Sequence, residues 1–415
     1  MIAELSTLQR FPTVASNPAA LRAAADWLRH RLDRLGFRTI PGSAVVAERR
    51  GAPGAPTFLI YGHYDVVPAG PGWSVPPFAA VRRGSTLWGR GASDDKGPIA
   101  AILHALRLPS RASVKIVFEG AEESGSPGLA ATVDALRGWL GDVDAIVICD
   151  TEARPDGRPT LTTQLRGDLS ARLRMWASGR PLHSGRYGGA APDPARALAV
   201  ALASLFRPDG SVAVPGFYQG VVPGGRFTTR PAVTVTGLRA GSSHSTIPAH
   251  ATAELDVRLV PGQRPRRIAD LLRAHVAALP LRGMRFRLDP LVSVPPWRLT
   301  SHPMIGPARA AVARTWGVTP AMVRSGGSMP AVPLLAGAVP RAAMVLLGFA
   351  LPSDNAHGPD EHVDLNRLRR AAVTIGELLG SPGHGQLGKP AHDQPLAAPQ
   401  FVRRNGQIQS WYPAE

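Results

Sequence analysis

The sequence predicts an α/β chain built on a largely parallel central sheet, with a smaller α+β domain inserted into it. Two patterns carry this prediction. Short apolar runs (TFLIYG, VKIVFEG and DAIVICD) alternate with helical segments, as buried parallel strands alternate with their crossover helices. From about Arg166 that texture gives way to half-exposed alternation, and after about Ser293 it resumes.

The elements follow in order. Asn17 caps the first clear helix, Pro18 suits its first turn, Leu21, Leu28, Leu32 and Leu35 share one face, and Gly36 ends it. Helices are expected in PIAAILHALRL and LAATVDALRGWL, between the apolar strands. GDLSARLRMWA alternates like a half-exposed strand. A helix over 194–206, strands over 232–238 and 251–260, a helix over 266–279 and a strand over 284–288 complete the order β-α-β-β-α-β, a split βαβ sandwich. A helix over 304–316, the run AAMVLLGFA and a final helix over 364–379 return to the first texture. The expected domains are therefore 1–165 with 294–381, the insertion 166–293, and a polar, Pro/Gly-rich tail, 382–415.

Composition excludes several classes. Apolar residues make up 44% of the 415, an ordinary globular share. No apolar run reaches the ~18–20 residues that span a bilayer. The N-terminal stretch lacks a basic start and a hydrophobic core, so no signal peptide is expected. The single cysteine, Cys149, rules out an intramolecular disulfide framework and a cysteine-rich metal site. A cytoplasmic protein with no membrane partner is the expectation. The net charge of +17 comes almost wholly from arginine, with lysine only at Lys96, Lys115 and Lys389. The arginines are scattered, with no basic block and no basic-aromatic interleaving, so a compositional bias explains the charge better than nucleic-acid binding does.

Polar residues gather where the apolar strands end, which is where open α/β sheets bind ligands. TFLIYG runs into His63, with Asp65 two residues on. VKIVFEG precedes Glu122-Glu123, and DAIVIC precedes Asp150. The GRGASDDKG loop carries Asp94 and Asp95, and His357 follows AAMVLLGFA. Each residue alone reads as surface charge or as a capped side chain. Together, several carboxylates at one sheet edge repel one another unless a cation compensates. Histidine with carboxylates suits zinc, manganese or cobalt better than calcium. Two divalent cations about 3.5–4 Å apart activate water and polarise a carbonyl oxygen. In that reading Glu123 binds a cation and Glu122, beside it, acts as general base. Asp65 sits behind His63 and fixes its tautomer.

These residues resemble the M20 metallopeptidases over roughly residues 2–380, through GHYDVVP, GRGASDDKG, EGAEESGSPG, an Asp after the next strand and the late His of AHGPDEH. The resemblance implies a di-metal catalytic domain with an inserted lid that often dimerises. It implies His63, Asp94 and Asp150 on one metal and Asp94, Glu123 and His357 on the other, with Asp94 bridging. It also implies Glu122 as base, Asp65 behind His63, and often a cis peptide at Asp94-Asp95. Taken alone, His183 in RPLHSGRYGG reads as a turn histidine and Arg258 in ELDVRLVPGQ as an exposed strand arginine. The resemblance implies instead that His183 reaches a partner subunit's active site and stabilises the oxyanion, and that Arg258 holds the substrate carboxylate. VRSGGSMPAV is close to the carnosinase-like and Cys-Gly dipeptidase branch, in which the residues matching Arg324, Gly326, Gly327 and Ser328 grip the substrate. Ser245, where many relatives carry Asn, and the AHGPDEH stretch depart from the usual pattern. His244, His250 and His362 are expected to be structural or solvated.

The expected function is hydrolysis of the amide bond of dipeptides by a hydroxide held between two metals, most simply zinc, with manganese or cobalt as alternatives, in a homodimer formed through the lid. An N-acyl-amino-acid amidohydrolase, or a deacylase of the succinyl-diaminopimelate type, would use the same centre. A non-catalytic binding protein on the same fold is the reading from another class.

Overall fold

The computed structural model describes residues 1–177, 179–222, 229–241 and 244–380. By its internal contacts the chain separates into Met1–Ser381 and Pro382–Glu415; the expected tail, 382–415, lies outside the described residues.

The centre of the large sheet is four parallel strands in the order Ser113–Glu119, Thr57–His63, Ala145–Glu152 and Ala343–Ala350. Antiparallel strands extend it on both sides. Val45–Arg49 pairs with Ser113–Glu119, and Thr160–Leu165 pairs with Ala343–Ala350. The sheet is thus parallel at its core and mixed at its margins. Alternate residues of one strand feed opposite layers. Phe58 and Ile60 pack with Leu28, Leu32, Ile99, Ile102, Leu368 and Ile375. Leu59 and Tyr61 pack with Leu129, Val133, Val332 and Leu335. Both faces are covered, which is why these strands read as unbroken apolar runs.

The first long helix, Pro18–Asp33, starts as the sequence predicts: the Asn17 side chain accepts from Ala20 N–H at 3.1 Å. Leu21 and Leu35 pack at the margin of the core that Leu28 and Leu32 fill. The helix expected over LAATVDALRGWL is shorter, Leu129–Ala135, and its last residues continue as turns.

A separate antiparallel sheet has the strand order Ala232–Ala240, His250–Leu259, Gly167–Trp176 and Arg285–Val294. Helices Pro194–Ser204 and Pro265–Ala277 cover one face, with Leu198, Leu202, Ile268 and Leu272 packed on Leu169, Leu173, Leu255 and Val257. This is the β-α-β-β-α-β order expected from the sequence. Two features were not expected. Leu182–His183 pairs with Thr246–Ile247, and His362–Asp364 joins Thr86–Trp88 and Val81–Arg83 in a small three-stranded sheet. Among the described residues no helix is long and apolar enough to cross a membrane.

Asn17→Ala removes the acceptor for Ala20 N–H and is expected to destabilise the chain by about 1 kcal/mol. In urea unfolding this should lower the midpoint with an unchanged slope.

Candidate metal centre

The four parallel strands end at one edge of the sheet, and three of them deliver a polar residue there or in the turn that follows. His63 closes its strand opposite Glu119 in the adjacent one. Asp150 lies near the end of Ala145–Glu152. After Glu119 the chain passes Gly120, where a Cβ would fall 2.6 Å from the Tyr64 ring, and then forms the single turn Glu122–Ser124. Tyr61 and Ser126 hydroxyls both donate to the buried Glu119 carboxylate, Ser126 at 2.8 Å, so the start and end of this turn are tied together.

Asp94 stands between two histidines. Its Oδ1 lies 3.0 Å from His63 Nε2 and its Oδ2 3.1 Å from His357 Nε2. Asp150 Oδ2 is 3.6 Å from His63 Nε2, and Glu123 Oε1 is 3.0 Å from His357 Nε2. Two groups of ligand-type atoms therefore share Asp94: His63, Asp94 and Asp150, and Asp94, Glu123 and His357. Within each group all such atoms lie within 4.8 Å of one another. Each supplies one imidazole nitrogen and two carboxylates, a donor set that fits zinc, manganese or cobalt. Three protein donors per position also leave room for water or substrate, as catalytic sites require.

The supporting residues are as specific as the candidate ligands. Asp65 meets His63 Nδ1 through its backbone carbonyl at 3.2 Å, with its carboxylate 3.5 Å away. That carboxylate also accepts the backbone N–H groups of Glu122 at 3.1 Å and Glu123 at 3.0 Å. One residue thus meets a histidine through its carbonyl and the backbone of both glutamates through its carboxylate. The Asp94–Asp95 peptide is cis, and Asp95 Oδ2 accepts His63 N–H at 3.1 Å.

Electrostatics follow from crowding and burial. Burial pushes Asp95 up to about 8 and Asp150 well above the usual carboxylate range, with Asp94 adding to both. Burial also lifts Glu122, which, with Glu123 and Asp94 nearby and despite the pull of His63, reaches about 7. Burial works against the charge of Asp94 as well, yet hydrogen bonds from His357 and His63 hold it below its ordinary value. Hydrogen bonds to Asp94 and Glu123 raise His357 to about 10. For His63, burial opposes protonation, but Asp65 and Asp94 outweigh it.

Of the expected substrate residues, Arg258 and Ser328 are joined, and Gly326 and Gly327 are braced beside them by Arg166. Arg258 donates from Nη1 to Ser328 Oγ at 3.2 Å and from Nη2 to Asp256 at 2.8 Å. Arg166 donates from Nε to Gly326 O at 2.8 Å, and its N–H reaches Gly327 O at 3.0 Å. Arg324 is exposed at the end of the strand Ala321–Arg324. His183 is exposed, and its Nδ1 accepts Gly185 N–H at 3.1 Å. Among the described residues no hydrogen bond or ion pair joins His183 to the Asp94 cluster. His244 and His250 are exposed, and His362 stacks on Trp88 at 4.4 Å.

Sequence reasoning missed Arg90, Glu361 and Arg166. Glu361 lies inside the AHGPDEH stretch noted for His357, and Arg90 inside GRGASDDKG, so both were hidden among residues with a more obvious role. Arg166 marks the change of texture but carries no pattern of its own.

An α/β chain with two histidine–carboxylate positions sharing one aspartate at the carboxyl edge of its sheet belongs to the class of two-metal hydrolase folds. The profile of peptidase family M20/M25/M40 matches residues 59–381, and the chain belongs to that family. It is 29% identical over 405 residues to the cysteinylglycine-S-conjugate dipeptidase of Corynebacterium striatum, covering 86% of this chain and 89% of that one. It is 26% identical over 377 residues to the β-Ala-His dipeptidase of Homo sapiens, covering 77% and 73%. Its fold is similar to that of the M20 metallo-carboxypeptidase Sso-CP2 from Sulfolobus solfataricus, with a TM-score of 0.81, 23% identity, and coverage of 91% and 98%.

A cation binding at His357 Nε2 must displace the proton that Asp94 and Glu123 hold there up to about pH 10. Zinc affinity is therefore expected to rise from pH 6 to pH 9 and to fall on acidification. Calorimetry in buffers of different ionisation enthalpy should register protons released as the ion binds.

Proposed function

We propose that the chain is a two-metal dipeptidase. The observation that carries this reading is the Asp94 carboxylate, one oxygen toward His63 and the other toward His357, with Glu122 next to Glu123 at the same edge. His63, Asp94 and Asp150 would hold one divalent cation, and Asp94, Glu123 and His357 the other, most simply zinc, with manganese or cobalt as alternatives. When bound, the cations supply an acidified water and a polarised substrate carbonyl.

The chain's own residues do the rest. Glu122, lifted to about 7 chiefly by burial, is suited to take a proton from the attacking water and return it to the leaving amine near neutral pH. Asp65 holds the Glu122–Glu123 backbone and His63 in one arrangement. Arg258 with Ser328 presents a guanidinium and a hydroxyl to a terminal carboxylate, Arg166 braces Gly326 and Gly327, and Arg324 completes that subsite. Residues 166–293 act as a lid on the catalytic parts 1–165 and 294–381. The lid carries the homodimer contact and takes His183 to the partner subunit's oxyanion. The dipeptidase names of the Corynebacterium and human relatives support this substrate class. A cytoplasmic location fits the single, buried cysteine.

The test is turnover of dipeptides, N-acyl amino acids and succinyl-diaminopimelate by the metal-reconstituted chain. Glu122→Ala is expected to lower kcat for dipeptides by about 10²–10⁴-fold while still binding metal. Preference for N-acyl substrates would transfer the reading to an amidohydrolase. Two bound metals with no turnover of any of these would favour a binding role.

A further inference from the structure

Glu361 belongs to neither group of ligand-type atoms, yet it is fully buried, and four donors converge on its carboxylate. Oε1 accepts the backbone N–H groups of Ser93 at 2.9 Å and Asp94 at 3.1 Å. Oε2 accepts Gly91 N–H at 2.8 Å and Arg90 Nη1 at 2.8 Å. Arg90 is also buried. Its Nη2 reaches the backbone carbonyls of His357 at 3.3 Å and Ala69 at 3.4 Å. One ion pair therefore grips the main chain on both sides of the centre, at Asp94 and at His357.

These two residues need such a grip. His63 and Asp150 ride on central strands, and Glu123 is fixed through Asp65. Asp94 and His357 sit on loops. The His357 loop holds three non-glycine residues in the left-handed region, Asn355, His357 and Asp360, with φ of 59°, 65° and 58°. Such a conformation persists only where its surroundings impose it. A buried ion pair is also a poor route to stability alone, because apolar residues of similar volume do as well. What this pair adds is position.

We propose that Glu361, acting through Arg90, is a positioning residue that sets the Asp94–His357 separation and so governs cation binding at the Asp94–Glu123–His357 position. This rests on the reading that the two groups hold cations. Groups that orient ligands without touching the metal are typically worth about 10–100-fold in affinity. Glu361→Gln keeps the volume but turns an amide toward two donors. Arg90→Lys keeps the charge but loses the planar fork that spans Glu361 and His357.

The experiment is calorimetric titration of the metal-stripped full chain with zinc. Asp150→Ala and His357→Ala identify the two positions. The wild type is expected to take up two ions. Either Glu361→Gln or Arg90→Lys should weaken the position lost in His357→Ala by at least about tenfold, and by more than it weakens the other position, which shares Asp94 but not the His357 loop. Equal weakening of both positions, or none in either variant, overturns the positioning role. A wild type that takes up fewer than two ions overturns the two-cation reading itself, and the inference with it.

Discussion

The structure depends on placing many carboxylates at one sheet edge without letting their charges drive the edge apart. Asp65, Asp94, Asp95, Glu122, Glu123 and Asp150 meet there, with His63 and His357 in direct contact with Asp94 and the buried Lys96 near enough to feel the charge of Asp65. Each acid is accommodated differently. Asp65 is satisfied by two backbone N–H groups, Asp94 by two imidazoles, and Asp95 by the His63 backbone and by burial that favours its neutral form. The differences matter chemically. Asp94 is held charged between the two histidines, whereas Glu122 is lifted toward neutrality, which suits proton transfer.

The scaffold divides the work between rigid and irregular backbone. The parallel strands carry His63 and Asp150 and are packed on both faces, so their ends are fixed by the core. The loops bearing Asp94 and His357 are held in addition by hydrogen bonds to Glu361 and Arg90. The small sheet in which His362–Asp364 pairs with Thr86–Trp88 brings those loops together, and Glu361 sits at its edge.

The cluster around Arg258 and Ser328 links two sheets. Arg258 comes from the four-stranded antiparallel sheet, Ser328 from the loop after Ala321–Arg324, and Arg166 from the point where the chain passes from one sheet to the other. The backbone and the side chain of Arg166 both engage the Gly326–Gly327 stretch.

The sequence by itself determined the α/β class, the β-α-β-β-α-β insertion order and the residues gathered at the strand ends. Burial on both faces forces an unbroken apolar run, and a reactive edge must interrupt it, so His63, Glu122, Glu123 and Asp150 stand out against Leu, Ile and Val. Tertiary structure alone decided what brings these residues to bonding distance. Nothing local in the sequence shows that Asp94 would place one oxygen on each histidine, that Asp65 would spend its carboxylate on the Glu122–Glu123 backbone, or that Glu361 would accept four donors. The physical reason is range. Periodicity and strand ends are set by near neighbours along the chain, whereas the Glu361–Arg90 and Arg258–Ser328 contacts join residues far apart in sequence and exist only once the sheets have formed.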